Sequence, residues 1–217
     1  MIKHLRGTTR QANATVFKQL FKLRHRIFIG GRKWSLPCKD GMDIDQYDVS
    51  EAVYFFRTAT DGTVDCHVRL TPTTKYSLLA DYFPHLVEGD QNARGETIYE
   101  ATRYIVLPAK RSAEANRRAK AELLVEMLEW AESNGVTHIQ TVIDTATFAS
   151  FLEMTSETQV LGLSHPFGGG PDVAGGGECM AIRWPVNRKV IHDLRTYGGL
   201  SCADCGKCQP SRAQSAA

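Results

Sequence analysis

The amino-acid sequence predicts a single-domain α/β/α sandwich built on a mixed sheet. Two observations carry this. One strong amphipathic helix spans 112–134, and short alternating strands stand on both sides of it, at 53–57, 64–70 and 97–107 before and at 138–143 and 178–186 after. At 217 residues the chain is long enough to bury a real core. The expected domain runs over 1–199, followed by a cysteine-containing, flexible tail at 200–217.

In chain order, Phe17, Leu20, Phe21, Arg24 and Phe28 recur at helical spacing and share one face, so Arg24 continues an apolar stripe. Residues 30–50 hold Gly30, Gly31, Pro37 and Gly41 among polar residues and read as a long irregular loop. The strands VYFFR (53–57) and VDCHVRL (64–70) are joined by a turn at Asp61-Gly62. In the second, Val64, Cys66, Val68 and Leu70 alternate with Asp65, His67 and Arg69, which sends Arg69 to the polar face. Residues 72–95 read as irregular, and 97–107 as a strand ending at Pro108. Ser112 is the expected N-cap of the long helix, and Asn134-Gly135 ends it. HIQTVI (138–143) is a strand, 145–154 a helix, and Gly168–Gly170 with Gly175–Gly177 flank a flexible connection. The strand signals end near Val186.

Composition narrows the partners. Hydrophobic content of 42%, charged content of 23% and a formal net charge of +2 are ordinary for a soluble globular protein and give a nucleic-acid partner no support. No apolar run approaches the length that crosses a bilayer, so no membrane partner is expected. The N-terminus has no secretory h-region, which predicts a cytoplasmic protein whose six cysteines are reduced thiols.

The chemistry is concentrated in one set of residues. Arg24, Phe28 and Trp34 precede Asp45 and Asp48, and Arg69, Glu100 and Arg103 follow. Cations, large aromatics and acids so close together make a poor core but a good pocket for a charged, partly planar small molecule. Each has a blander reading: Arg24 as a helix cap or a partner of Asp45, Phe28 as core, Asp45 and Asp48 as solvated loop acids, Arg69 and Arg103 as structural counter-ions. Glu100 and Arg103 lie three positions apart, so a regular strand sends them to opposite faces, and a bulge is needed to bring both to one cluster.

Taken in order, LRHRIF (23–28), Trp34, DIDQYD (43–48), CHVRL (66–70) and YEATRYIV (99–106) resemble the LuxI-type acyl-homoserine lactone synthases, the autoinducer synthases of bacterial quorum sensing. The motifs cover roughly the first half of the chain; the second half matches in layout. The resemblance implies an N-acetyltransferase-like (GNAT-like) fold and an acyltransferase that consumes S-adenosylmethionine and an acyl thioester, from an acyl carrier protein or acyl-CoA. Both are substrates, so no cofactor and no metal is implied. The amine of S-adenosylmethionine attacks the thioester; its carboxylate then closes the lactone and releases 5′-methylthioadenosine. Glu100 is the expected base for the amine, with Asp45 in reserve. The implied S-adenosylmethionine site comprises Arg24, Phe28, Trp34, Asp45, Asp48 and Arg103, and the electrostatic cluster Arg24, Asp45, Asp48, Arg69, Glu100 and Arg103.

The acyl pocket is expected loosely at Phe83, Thr141, Phe148, Phe151, Leu152 and Met154, with the Thr141 hydroxyl placed to meet a 3-oxo group. Lys110, Arg111, Arg117, Arg118 and Lys120 read either as a solvated face or as a site for the acyl carrier's phosphates. Two other functions compete: a different acyl-CoA-dependent N-acyltransferase on a related fold, and a metal- or redox-sensing module built on CADCGKC (202–208), with His192 as the nearest fourth ligand.

Overall fold

A computed structural model describes residues 1–89 and 91–201. Eight strands form one sheet: β1 (Ile2–Arg6), β4 (Val53–Thr58), β5 (Val64–Pro72), β6 (Ile98–Val106), β7 (His138–Asp144), β8 (Gln159–Val160), β9 (His165–Phe167) and β10 (Gly177–Pro185). Two further short strands, β2 (Cys38–Lys39) and β3 (Met42–Asp43), make a separate hairpin inside the segment expected to be irregular. The sheet order is β1-β4-β5-β6-β7-β10-β8, with β9 also on β10. Every neighbouring pair is antiparallel except β6 and β7.

The strand alternation decides which helix covers which face. Phe55, Val68 and Leu70 pack with Leu123, Leu124, Met127 and Leu128 of α3 (Ala113–Ser133) and with Ile191 and Leu194 of α5 (Arg188–Tyr197). Tyr54, Phe56 and Ile105 face the other way, onto Phe17, Leu20 and Phe21 of α1 (Ala14–Arg24). Farther along that second face, Leu79 of α2 (Leu78–Tyr82) joins Leu86, Leu161 and Ala181. The architecture is thus the expected mixed α/β sandwich.

α3 starts at the expected cap: the Ser112 side chain accepts from the Ala115 N–H at 3.1 Å. Besides β2, β3, α2, β8 and β9, two further regular elements fall where none was expected. β1 pairs with β4, and α5 buries Val190, Ile191 and Leu194 after an Asn187 cap that accepts from the Val190 N–H at 2.9 Å. The expected helix at 145–154 is a 3-10 turn followed by α4 (Phe148–Met154). The metal-spaced cysteines Cys202, Cys205 and Cys208 lie outside the described residues.

Candidate functional site

The buried charges close into a ring. Arg24 donates to Asp48 (2.7 and 3.0 Å) and to Asp43 (3.2 Å). Arg69 donates to Asp48 (2.8 Å) and Asp45 (2.6 and 3.1 Å). Arg103 donates to Asp45 (2.9 Å) and Asp43 (2.7 and 3.2 Å). Three arginines and three aspartates therefore alternate around a circuit, each hydrogen-bonded to two of the opposite sign, with Arg24 and Asp45 also 3.7 Å apart across it, and the formal charges cancel. This is the arrangement in which mutual attraction and hydrogen bonding repay desolvation. Burial would raise the Asp48 carboxyl, but Arg69 and Arg24 outweigh it and hold it far below the usual range. Tyr54 donates to the same carboxylate at 3.0 Å.

Asp43 was not among the expected cluster residues, although it stands in DIDQYD beside the two that were. Its signal was the two-residue spacing to Asp45, which puts both on one side of an extended chain. The Arg24, Arg69, Asp43 and Asp48 side chains are fully enclosed. Asp45 (5% exposed) and Arg103 (6% exposed) alone in the ring reach solvent, so any ligand meets the ring there.

A bulge puts Arg103 on this face. The β5–β6 register shifts between His67 and Arg69, and Arg103 takes φ +57°. Thr102, which accepts from Arg69 Nε at 3.0 Å, and Arg103 consequently share the ring side, while Tyr104 returns to the α3 side.

Glu100 shares the face but not the ring, a correction to the expected cluster. Among the described residues it has no ion pair with the arginines. Its carboxylate instead accepts from Ser77 Oγ (2.6 Å) and from the Leu79 N–H (3.0 Å), binding β6 to the start of α2. Burial pushes its pKa up to about 7 even though those two bonds and Arg69 pull the other way. A base poised at that value suits proton transfer at neutral pH.

α1 continues as a wider π-helix over His25–Gly31, a geometry common at functional sites. It delivers Phe28 beneath Trp34, rings 5.1 Å apart and 16° from parallel, and sets Arg103 over the Phe28 ring at 5.4 Å. The aromatic pair thus stands directly against the rim of the ion ring.

β6 and β7 pair only from Ile98↔His138 through Glu100↔Gln140, although β6 continues to Val106 and β7 to Asp144. The two parallel strands part there, with Glu100 at the vertex. Under α3, a cavity of about 30 Å³ opens between them, lined by Ala101, Tyr104, Thr141, Phe151, Trp184 and neighbouring aliphatic side chains. Of the expected acyl-pocket residues, Thr141 and Phe151 line it, Met154 is buried in the same core, and Phe148 packs against that core. Leu152 does not: it is 47% exposed, because residues 151 and 154 take the inward face of the short α4. Phe83 is on the opposite side of the sheet, packed with Leu79 and Leu86. Tyr104 and Trp184 were missed; the alternation along β10 carried the signal for Trp184, and the bulge hid Tyr104.

Lys110, Arg111, Arg117 and Arg118 are exposed near the start of α3, Arg118 reaching Glu122 at 3.0 Å. Lys120 leaves this group, since its ammonium turns to Ser150 Oγ at 2.8 Å and ties α3 to α4.

A family model for autoinducer synthases matches residues 8–160. The isovaleryl-homoserine lactone synthase of Bradyrhizobium diazoefficiens is 30% identical over 197 residues, covering 89% of this chain and 84% of its own. Among solved structures, the CoA-dependent acyl-homoserine lactone synthase MesI superposes with a TM-score of 0.77 at 27% identity, covering 94% of this chain and 97% of its own. BjaI, a CoA-dependent synthase solved with S-adenosylmethionine and isopentyl-CoA, gives 0.76 at 27% identity over 92% and 90%. An acyl-CoA N-acyltransferase from Pseudomonas aeruginosa shares the fold at 13% identity, with a TM-score of 0.58 over 85% and 98%.

Proposed function

The chain belongs to the autoinducer synthase family, and from that premise we propose an S-adenosylmethionine site at the ring's rim, a coenzyme A donor with a short apolar acyl group, and Glu100 as base. The activity itself is that of an acyltransferase: acyl-homoserine lactone synthesis from S-adenosylmethionine and an acyl thioester.

One observation carries the site assignment. The solvent-touching edge of the ring, Asp45 and Arg103, the stacked Phe28–Trp34 pair and Glu100 at the strand vertex converge on one face of the sheet. The sulfonium and adenine sit against the aromatic rings, where a cation over a π-face is attracted. The α-amino group, ordinarily with a pKa of about 7.7–8.0, lies toward Glu100. The neutral amine attacks the thioester carbonyl, the C–S bond breaks, the thiolate leaves and the amine's proton passes to Glu100. The methionine carboxylate then attacks its own γ-carbon, and the C–S⁺ bond breaks to release 5′-methylthioadenosine. That closure is intramolecular, so holding the substrate folded supplies much of the acceleration.

The coenzyme A donor is supported by the similarity to proteins described as CoA-dependent, and the short apolar acyl group by the relative named for isovaleryl and by the cavity's apolar lining. Lys110, Arg111, Arg117 and Arg118 supply positive charge for the donor's phosphates. Because both substrates are metabolites of the cytoplasm, the cytoplasm is the compartment this reading assigns. Incubating the purified chain with S-adenosylmethionine and isovaleryl-CoA, or the same acyl group on acyl carrier protein, tests it. Lactone from the coenzyme A thioester alone is expected; faster turnover of the carrier-protein thioester would overturn the donor assignment.

A further inference from the structure

The glycine-rich hairpin that joins β9 to β10 lies beyond the region matched by the family model, yet it touches the segment that carries Trp34. Phe167, the last residue of β9, meets the Trp34 ring at 6.1 Å and 87°, an edge-to-face arrangement. Arg103, Phe28, Trp34 and Phe167 thereby form one continuous stack, which begins at the ion ring and ends on the far half of the sheet.

Two glycines make this contact possible. Gly177 pairs with Phe167 across the strands, and a Cβ there would stand 2.8 Å from the Phe167 ring. Gly175, at φ +84°, passes so close to the Lys33 carbonyl that a Cβ would lie 2.3 Å from its oxygen. A second tie runs from Arg32 to Asp144 at the end of β7, at 3.7 Å. The segment 32–34 is thus seated on the C-terminal half at three separate points. Phe28 and the Arg32 guanidinium, which stands over the Trp34 ring at 5.4 Å, both leave the indole free to slide in its own plane; a ring edge at right angles removes that freedom.

We propose that Phe167, seated by Gly175 and Gly177, is a positioning residue for S-adenosylmethionine: it holds the Trp34 indole in the orientation that receives the adenosyl group. The inference rests on the reading that Trp34 borders that substrate. It assigns the hairpin 168–177 to the adenosyl side of the reaction and not to the acyl side.

Steady-state kinetics on Phe167→Ala, Trp34→Ala and the double variant test it. Loss of one edge-to-face pair predicts a rise of about threefold to tenfold in KM for S-adenosylmethionine, with the acyl-donor KM unchanged. In the Trp34→Ala background the same change adds less than about twofold, since its partner is already gone. Phe167→Tyr restores the wild-type KM. An unchanged S-adenosylmethionine KM in Phe167→Ala, an equal rise for both substrates, or full additivity in the double variant each overturns the proposal. Should Phe167→Ala fail to fold, Gly175→Ala serves instead: it must displace the Lys33 carbonyl and raise the same KM, and an unchanged value refutes the role of the hairpin. Failure of the underlying reading is distinguishable, because then Trp34→Ala itself leaves the S-adenosylmethionine KM at the wild-type value.

Discussion

Replacing Glu100 by Gln separates catalysis from stability with opposite signs. The carboxyl titrates at about 7 in the folded chain against an ordinary 4.5, because burial penalises the charge. A carboxyl raised in this way binds its proton more tightly folded than unfolded. Its contribution to stability is present below the unfolded pKa and is lost as pH rises through the folded one. Two pKa units or more correspond to about 3 kcal/mol at pH 8, shrinking to under about 1 kcal/mol at pH 5. Gln escapes that penalty and keeps the Leu79 N–H bond through its amide oxygen, but its NH₂ cannot accept from the Ser77 hydroxyl, which costs about 1–3 kcal/mol. The absolute shift at one pH is therefore small, while the difference between the two pH values is not. The stability of Glu100→Gln relative to wild type should improve by about 2–3 kcal/mol from pH 5 to pH 8. Thermal unfolding reads this as a relative gain of about 4–10 °C. Turnover should fall steeply in the same protein, and the wild-type rate should climb with pH through about 7. A flat difference between pH 5 and pH 8 would refute the ionised, buried Glu100; normal turnover in a folded variant would remove it as the base and leave Asp45.

Asp43→Asn leaves Arg24 and Arg103 short of a counter-ion inside the ring, at about 3–5 kcal/mol, so melting should drop by about 10 °C, and a drop below about 2 °C would contradict the closed circuit. The ring holds the Asp43 and Asp48 carboxylates low, so its stabilisation is full above the ordinary 3.8 and is lost progressively as pH falls from there toward the lower folded values; acid titration of wild type against Asp43→Asn should show the difference narrowing steadily below 3.8. Phe151→Ala opens the cavity and should shift preference from isovaleryl- toward hexanoyl-CoA in a competition assay, at a stability cost of about 3–5 kcal/mol; an unmoved preference would place the acyl chain elsewhere. Charge reversal at Arg111 and Arg117 should raise the acyl-donor KM at low salt and spare that of S-adenosylmethionine; equal values for the donor would return these residues to a solvated face.

The sequence made some of this legible because local physics decided it. The stripe through Phe17, Leu20, Phe21 and Arg24 needed only helical spacing, and the Ser112 cap only a hydroxyl before a run of good helix formers. The need for a bulge followed from counting residues between Glu100 and Arg103, and Arg103 at φ +57° supplies one. What escaped was decided by tertiary contact. Glu100 is drawn out of the arginine set by Ser77, a residue 23 positions earlier in a segment with no helical period of its own. Leu152 and Phe83 are apolar at plausible places, but a seven-residue helix and a side of the sheet, neither visible in composition, point them away from the cavity. α5 was missed because Val190, Ile191 and Leu194 give too short a period to stand out before Gly198 and Gly199.

The central claim is that the ring face binds S-adenosylmethionine and that, at the gap between β6 and β7, it is joined to an acyl group held on the α3 side, with Glu100 taking the proton. Mass spectrometry of a single incubation of wild type and Glu100→Gln with S-adenosylmethionine and isovaleryl-CoA measures it most directly. The account predicts isovaleryl-homoserine lactone and 5′-methylthioadenosine in equal amounts from wild type, and neither above background from the variant. Acylated product without methylthioadenosine, or equal yields from the two proteins, would contradict it.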